Sequence, residues 1–188
     1  MAQLLVFNTV SLDGYFTDQN GDMSWAHSSD PEWQEFTEGN AGGGGTLLFG
    51  RITYELMASY WPTAAAFKAL PVVAKRMNAL PKIVFSRTME KAEWSNTELI
   101  KSDPVTAVRR MKEQSTRGMA IMGSGSIVSL LAQAGLIDEY QIVVYPIVLG
   151  KGRTMFEGVR DKLSLTLRTS RVFHNGNVFL TYTPTQTR

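Results

Sequence analysis

The sequence predicts an α/β protein: a mostly parallel mixed sheet with helices on both faces, ending in an antiparallel C-terminal hairpin. Three observations predict it. Up to about residue 149, short apolar runs alternate with stretches of helical pattern, as in strands joined by crossover helices. Three of those runs end in glycine or hydroxyl residues beside an arginine or a helix start, as in "LLFGRITYE" (47–55). Further on, "KLSLTLRTSRVF" and "NVFLTYT" alternate with a period of two, joined by "HNGN", in which Asn175-Gly176 is a hairpin turn signal. No repeat or linker divides the 188 residues, so one domain over 1–188 is expected.

The elements follow in order. Residues 3–12, "QLLVFNTVSL", read as a buried strand, closed by the Asp13-Gly14 turn. "DPEW" (30–33) starts a helix to about Gly39: Asp30 caps it, Pro31 fits the first helical position, and Glu32 suits the positive end of the dipole. Gly42–Gly45 reads as a flexible joint. Residues 46–49 form a second strand, and 51–60 a helix ended by Trp61-Pro62. Residues 72–80 are helical, 82–86 a third strand and 97–101 a weaker fourth. Asp103-Pro104 starts a helix to about 116. The fifth strand, 118–122, reaches "GSGS" and a helix to about 134. The sixth, 138–149, is interrupted by Pro146.

Composition narrows the function. Apolar residues are 44% and charged residues 19%, the balance of a soluble globular chain that builds a core without staples. A net charge of +2 is too small to imply a nucleic-acid or acidic-membrane partner, and Arg109, Arg110 and Lys112 read as a solvated helix face. No cysteine is present, which excludes disulfides, zinc-thiolate sites and thiol catalysis. Two histidines, His27 and His174, lie far apart, and no G-x-S-x-G occurs; neither a metal site nor a Ser-His-Asp triad is expected. The start, "MAQLLVFNTV", lacks a basic n-region, and no apolar stretch reaches the ~18 residues of a span, so the cytoplasm is expected.

Parallel sheets gather ligands at the carboxyl ends of their strands. Here three ends carry polar groups of one kind: Gly50-Arg51-Ile52-Thr53, Ser86-Arg87-Thr88, and Gly123-Ser124-Gly125-Ser126 opening a helix. Glycine admits close approach, a helix N-terminus attracts phosphate, and arginine offers paired donors to phosphate oxygens. Taken singly, Ser86-Arg87 also reads as a strand-end turn with a solvated arginine, and Gly50 as a tight corner. Jointly the three ends favour a polyanionic dinucleotide.

With "SLDGYF" (11–16), "LLFGRITYE" (47–55), "IVFSRT" (83–88), "MGSGSIVSLLAQAGLIDEYQIVVYPIVLGKGRTMF" (122–156) and the final hairpin in hand, the chain resembles the dihydrofolate-reductase-like family. It is most similar to the group of the riboflavin-biosynthesis (pyrimidine) reductase C-terminal domain. The resemblance covers most of the chain and implies a three-layer α/β/α sandwich and an NADPH site. Carried over, the phosphate-holding roles fall on Gly50, Arg51, Thr53, Ser86, Arg87, Gly123, Ser124, Gly125 and Ser126, with the nicotinamide near Val10 and Ser11. Ser124 departs from the usual second glycine. The resemblance also implies a homodimer, with the sixth strand and the hairpin as contact face, and no deaminase domain beside it.

On the substrate side the resemblance implies Asp13 at the mouth of the site and a first-helix carboxylate, here Glu32, as catalytic residues. Asp13 reads equally as an Asp-Gly turn residue, and Glu32 as a solvated first-turn glutamate. Lys151 and Arg153 in "LGKGRTMF" are set to meet a substrate phosphate or belong to a solvated basic loop. Phe16, Trp25, Trp33 and Phe36 are candidate walls and also core candidates. The function so implied is an NADPH-dependent reductase of a small heterocyclic substrate, resembling 5-amino-6-(5-phosphoribosylamino)uracil reductase and dihydrofolate reductase. The alternative is a non-catalytic nucleotide-binding or oligomeric scaffold that keeps the fold without the substrate site.

Overall fold

The computed structural model describes residues 1–41 and 45–185, with Ala41 in its backbone only. The first half contains β1 (Leu4–Ser11), β2 (Tyr15–Asp18), α1 (Pro31–Ala41), β3 (Thr46–Gly50), α2 (Arg51–Tyr60), α3 (Ala64–Ala69), α4 (Pro71–Ala79) and β4 (Lys82–Phe85). The second contains β5 (Thr97–Ile100), α5 (Pro104–Gln114), β6 (Met119–Met122), α6 (Gly125–Gln133), β7 (Glu139–Tyr145), β8 (Gly152–Thr154), β9 (Leu165–Val172) and β10 (Val178–Pro184).

Eight strands pair in the order β5-β4-β3-β6-β1-β7-β10-β9. The pairs from β5 to β7 are parallel, and β10 is antiparallel to both β7 and β9. Strand alternation sends Leu4, Val6, Leu48 and Ile121 to one face, where Val108 of α5 and Val128 and Leu131 of α6 bury them. On the opposite face Phe49 and Val84 pack under Tyr54, Val73, Met77 and Trp94. Farther along that face, Trp33 of α1 sits on Val143, Tyr145 and Phe173. The result is the three-layer arrangement expected for apolar strands joined by amphipathic crossovers.

Local chemistry sets the ends of the elements. Trp33 N–H donates to Asp30 Oδ1 (2.9 Å) and Thr106 N–H to Asp103 Oδ2 (2.8 Å), so both aspartates cap their helices. At the far end of α4, the buried Lys82 ammonium donates to the carbonyls of Met77 (2.9 Å), Asn78 (3.2 Å) and Leu80 (2.6 Å), which the helix itself leaves open.

Four features differ from the sequence reading. The sixth strand stops at Tyr145 rather than 149, because Pro146 has no N–H for the ladder. The α3 helix, capped by Thr63, went unread; six residues rich in alanine carry no apolar period. Ser24–Ala26 forms a single 3-10 turn between the first strand and the first helix, where no element is expected. β2 and β8 form a small antiparallel ribbon from segments outside the expected strands, each too short to display alternation. Of the Gly42–Gly45 joint, residues 42–44 lie outside the described residues.

A clasp ties α1 to the β9–β10 hairpin. The Glu32 carboxylate accepts from Arg171 Nη2 (2.9 Å) and from His174 N–H (3.0 Å), while Asn175 Nδ2 donates to Ser28 Oγ (3.1 Å). The Arg171 guanidinium also lies 4.6 Å above the Phe173 ring, which meets Trp33 edge-on at 5.2 Å. The Arg171 bond first, and the His174 N–H second, hold the Glu32 carboxyl below the usual glutamate range. A carboxyl with a lowered folded value adds stability above its unfolded value of ~4.3, and loses that share as pH falls through the folded value. We therefore expect the wild-type melting temperature to fall more steeply than that of Glu32→Gln below about pH 4.3, where the clasp is being protonated. Parallel acid curves in thermal melts would remove Glu32 from the clasp.

Candidate active site

A cleft of about 1060 Å³ opens at the carboxyl ends of β1, β3, β4 and β6. Parallel pairing places these ends on one edge, with β3 between β4 and β6. The floor comes from Phe7, Asn8 and Thr9 of β1, with Phe85 and Met122 ending their strands. One wall is the start of α2, another the start of α6, and the β2–β8 ribbon forms the rim.

The floor is knotted together by side chains. Ser124 Oγ accepts from Gly50 N–H (2.9 Å) and donates to the Met122 carbonyl (3.0 Å). Ser124 N–H donates to Thr53 Oγ1 (2.9 Å). Asn8 grips the preceding residue from the other side: Gly123 N–H donates to its Oδ1 (2.6 Å), and its Nδ2 donates to the Gly123 carbonyl (3.2 Å). Ser124 takes a left-handed backbone (φ 60°, ψ 50°) to make this possible. Gly123 is also left-handed (φ 56°), and a Cβ there would lie 2.8 Å from Thr53 Cγ2. A Cβ on Gly125 would lie 3.1 Å from both the Phe16 ring and the Thr154 carbonyl.

Two helices begin at this floor without a side-chain cap: α2 at Gly50 and α6 at Ser124. Their open N–H groups and positive dipole ends make the cleft attractive to an anion. Arg51, Arg153 and Glu157 are the charged residues of the lining. Arg51 is half exposed and is held by Glu55 one turn on (3.0 Å).

The structure gathers Gly50, Arg51, Thr53, Gly123, Ser124, Gly125, Ser126 and Arg153 around the cleft. Others lie outside its lining. Val10 is buried in the core, and Ser11 Oγ donates to Asp13 Oδ1 (2.7 Å) and accepts from Tyr15 N–H (3.0 Å). Ser86 Oγ accepts from Thr88 N–H (3.3 Å) and Met89 N–H (3.0 Å), closing the strand-end turn. Arg87 is exposed on the next strand end; its charge helps the Thr106 N–H and hydroxyl to hold the Asp103 carboxyl below its ordinary value. Lys151 is exposed beside the ribbon.

The two proposed acids are also not among the cleft residues. Asp13 accepts from Ser11 Oγ, from Leu149 N–H (3.1 Å) and from Gly150 N–H (2.7 Å), so it pins the loop after β7 to the turn after β1. The Ser11 bond leads in holding its carboxyl low. Glu32 belongs to the clasp. Each carboxylate is engaged in structural bonds that favour its charged form, which is the wrong state for a proton donor. Of the expected walls, Phe16 lines the cleft, and Trp33 with Trp25 and Phe36 belongs to the aromatic cluster. Asn8 was overlooked; an amide inside the apolar run "LLVFNTV" was its signal. Among the described residues no group of three or more His, Asp or Glu is placed to hold a metal, and no helix is long and apolar enough to cross a membrane.

Comparison with known proteins decides the lineage. Residues 2–179 match the RibD C-terminal domain. The chain belongs to the RibD C-terminal domain family. The chain is similar to the uncharacterised protein YyaP of Bacillus subtilis (strain 168), 27% identical over 173 residues, which are 92% of this chain and 90% of YyaP. A putative riboflavin biosynthesis protein from Shewanella sp. PV-4 superposes with a TM-score of 0.78 at 25% identity, covering 99% of this chain and 100% of that one. The deaminase/5-amino-6-(5-phosphoribosylamino)uracil reductase of Thermotoga maritima shares the fold (TM-score 0.66, 16% identity), with 98% of this RibD-type chain matching 57% of the bifunctional one. The dihydrofolate-reductase-like sandwich is thus the fold of this chain.

Ser124 supplies the test of the knot. Ser124→Ala removes two hydrogen bonds, one buried and one partly buried, and keeps a Cβ on a left-handed backbone, and is expected to cost about 2 kcal/mol. Ser124→Gly loses the same bonds and relieves about 1 kcal/mol of backbone strain, so it should unfold between wild type and Ala in urea. A Gly variant weaker than Ala would refute the strained-knot account.

Proposed function

We propose that this protein is an NADPH-dependent reductase of a small heterocyclic substrate, of the pyrimidine or pterin kind. The observation that carries it is the meeting of two uncapped helix starts, two glycines at which a side chain would crowd Thr53 or Phe16, and Arg51 at adjacent strand ends. That donor set fits a dinucleotide pyrophosphate. The open N–H groups of α2 and α6 would hold its phosphates, with the Thr53 and Ser126 side chains alongside. Arg51 would take the 2′-phosphate that separates NADPH from NADH. Arg87 and Ser86, one strand farther out, enter this reading as an outer positive edge.

NADPH supplies a hydride; the chain supplies binding, orientation and a dry wall. Phe16, Met23, Leu56 and Met57 supply apolar lining to the cleft, against which the substrate ring is placed in this reading. Arg153, on the rim, suits a substrate phosphate, with Lys151 beside it on the same loop. The lining offers one carboxylate, Glu157, so the reading assigns the proton to water. Family likeness to riboflavin-pathway reductases supports the reaction class. A homodimer in the cytoplasm completes the reading; exposed Leu167 and Val172 on β9 support the hairpin as contact face.

A second reading, a nucleotide-binding scaffold without catalysis, is favoured by the structural engagement of Asp13 and Glu32. Titration by NADPH fluorescence, followed by NADPH oxidation with pyrimidine and pterin candidates, separates the two. Turnover on any candidate supports the reductase, binding without turnover the scaffold, and no binding of either nucleotide refutes both. Arg51→Ala is expected to lower the preference for NADPH over NADH about tenfold. An unchanged ratio would take Arg51 off the 2′-phosphate, and the same measurement on Arg87→Ala reports whether the outer arginine takes part.

A further inference from the structure

A second cavity, of about 330 Å³, lies between β7 and the segment from Phe156 to Leu165, and its lining shares no residue with the cleft. We propose that it is a separate binding site for a small aryl carboxylate that carries a hydrogen-bonding group at the end away from the carboxylate. Its volume falls within the range of small-ligand sites.

Tyr140 is the reason. The residue is 2% exposed and lines the cavity, and its hydroxyl, which makes no side-chain hydrogen bond among the described residues, is not sealed from the cavity's solvent. Buried tyrosines ordinarily place that hydroxyl on an acceptor. Burial pushes the phenol up to about 12, so the group stays a neutral donor at any physiological pH. A ligand hydroxyl or carbonyl in the cavity would complete it.

The rest of the lining fixes the remainder of the ligand. Phe156 stands 5.9 Å from the Tyr140 ring at 54°, and with Leu163 and Leu165 it offers apolar walls to an aromatic body. Arg160, Asp161 and Lys162 are exposed at the mouth. Asp161 accepts from Gln133 Nε2 (3.1 Å), whereas neither Arg160 nor Lys162 is in an ion pair among the described residues. The mouth is therefore positive on balance and complements a carboxylate that stays near water, which spares its desolvation. The wall is pre-formed: Ser129 Oγ donates to the Glu157 carbonyl (2.7 Å), and Arg160 N–H donates to Gln133 Oε1 (2.8 Å), pinning the segment to α6.

The test is calorimetric titration of para-hydroxybenzoate into the full chain, with and without NADPH. Benzoate, which lacks the far group, and para-hydroxybenzyl alcohol, which lacks the charge, are the comparison ligands. We expect para-hydroxybenzoate to bind most tightly and NADPH not to displace it. Tyr140→Phe should weaken it about tenfold, the worth of one hydrogen bond. Leu163→Trp, which fills the cavity, should abolish binding while leaving the far-ultraviolet dichroism and the NADPH titration as in wild type. Absence of binding, displacement by NADPH, or binding indifferent to both substitutions would overturn the proposal.

Discussion

The cleft depends on one serine held in a left-handed turn. Ser124 follows the central strand β6, and its hydroxyl and N–H reach Gly50 at the end of β3 and Thr53 in the first turn of α2. Asn8 on β1 grips the preceding glycine. Three neighbouring strands are thereby fixed in height relative to one another. The same bonds decide which backbone donors are taken and which remain open at the two helix starts. A looser floor would let α2 and α6 drift apart, and their open N–H groups would no longer converge on the cleft.

The order of strands and helices was legible because long apolar runs and helix caps are local signals. Asp30 and Asp103 announce their helices, and each makes its expected bond to the N–H three residues on. The β2–β8 ribbon was not legible, since each partner finds its pairing more than a hundred residues away and neither is long enough to carry a period. The site divides the same way. Glycine, hydroxyl and arginine at strand ends are local signals, and two of the three ends, at Gly50–Thr53 and Gly123–Ser126, line the cleft, while Ser86 and Arg87 do not. Side chains whose role turns on orientation were ambiguous. Whether Asp13 and Glu32 face a substrate or a backbone N–H depends on loops that no local pattern specifies. Asn8 was hidden by the opposite effect, lying inside a run read only for its hydrophobicity.

The aromatic cluster under α1 bears on the substrate side. Trp33 meets Phe36, Phe173 and Tyr145 at centroid distances of 5.2 to 5.8 Å, and Trp25 meets Tyr145 at 5.7 Å. The Tyr145 hydroxyl donates to the Ala26 carbonyl (2.7 Å), tying the turn at Ser24–Ala26 to β7. These rings fill the space beneath the helix instead of walling a cavity. The open volume lies to the other side of β1, beside α2, and it is there that the chain has room for a ring-shaped guest.

The place of β1 in the sheet has a consequence for how the chain is made. Its neighbours, β6 and β7, lie more than a hundred residues further along the chain: Leu4 pairs with Met119, and Leu5 with Glu139. Until those late segments emerge, "LLVFNTVS" has neither partner and carries its apolar side chains unshielded. Pairing so distant in sequence makes for slow closure of the central sheet. The nascent chain is therefore exposed to aggregation from the emergence of β1 until β6 and then β7 arrive.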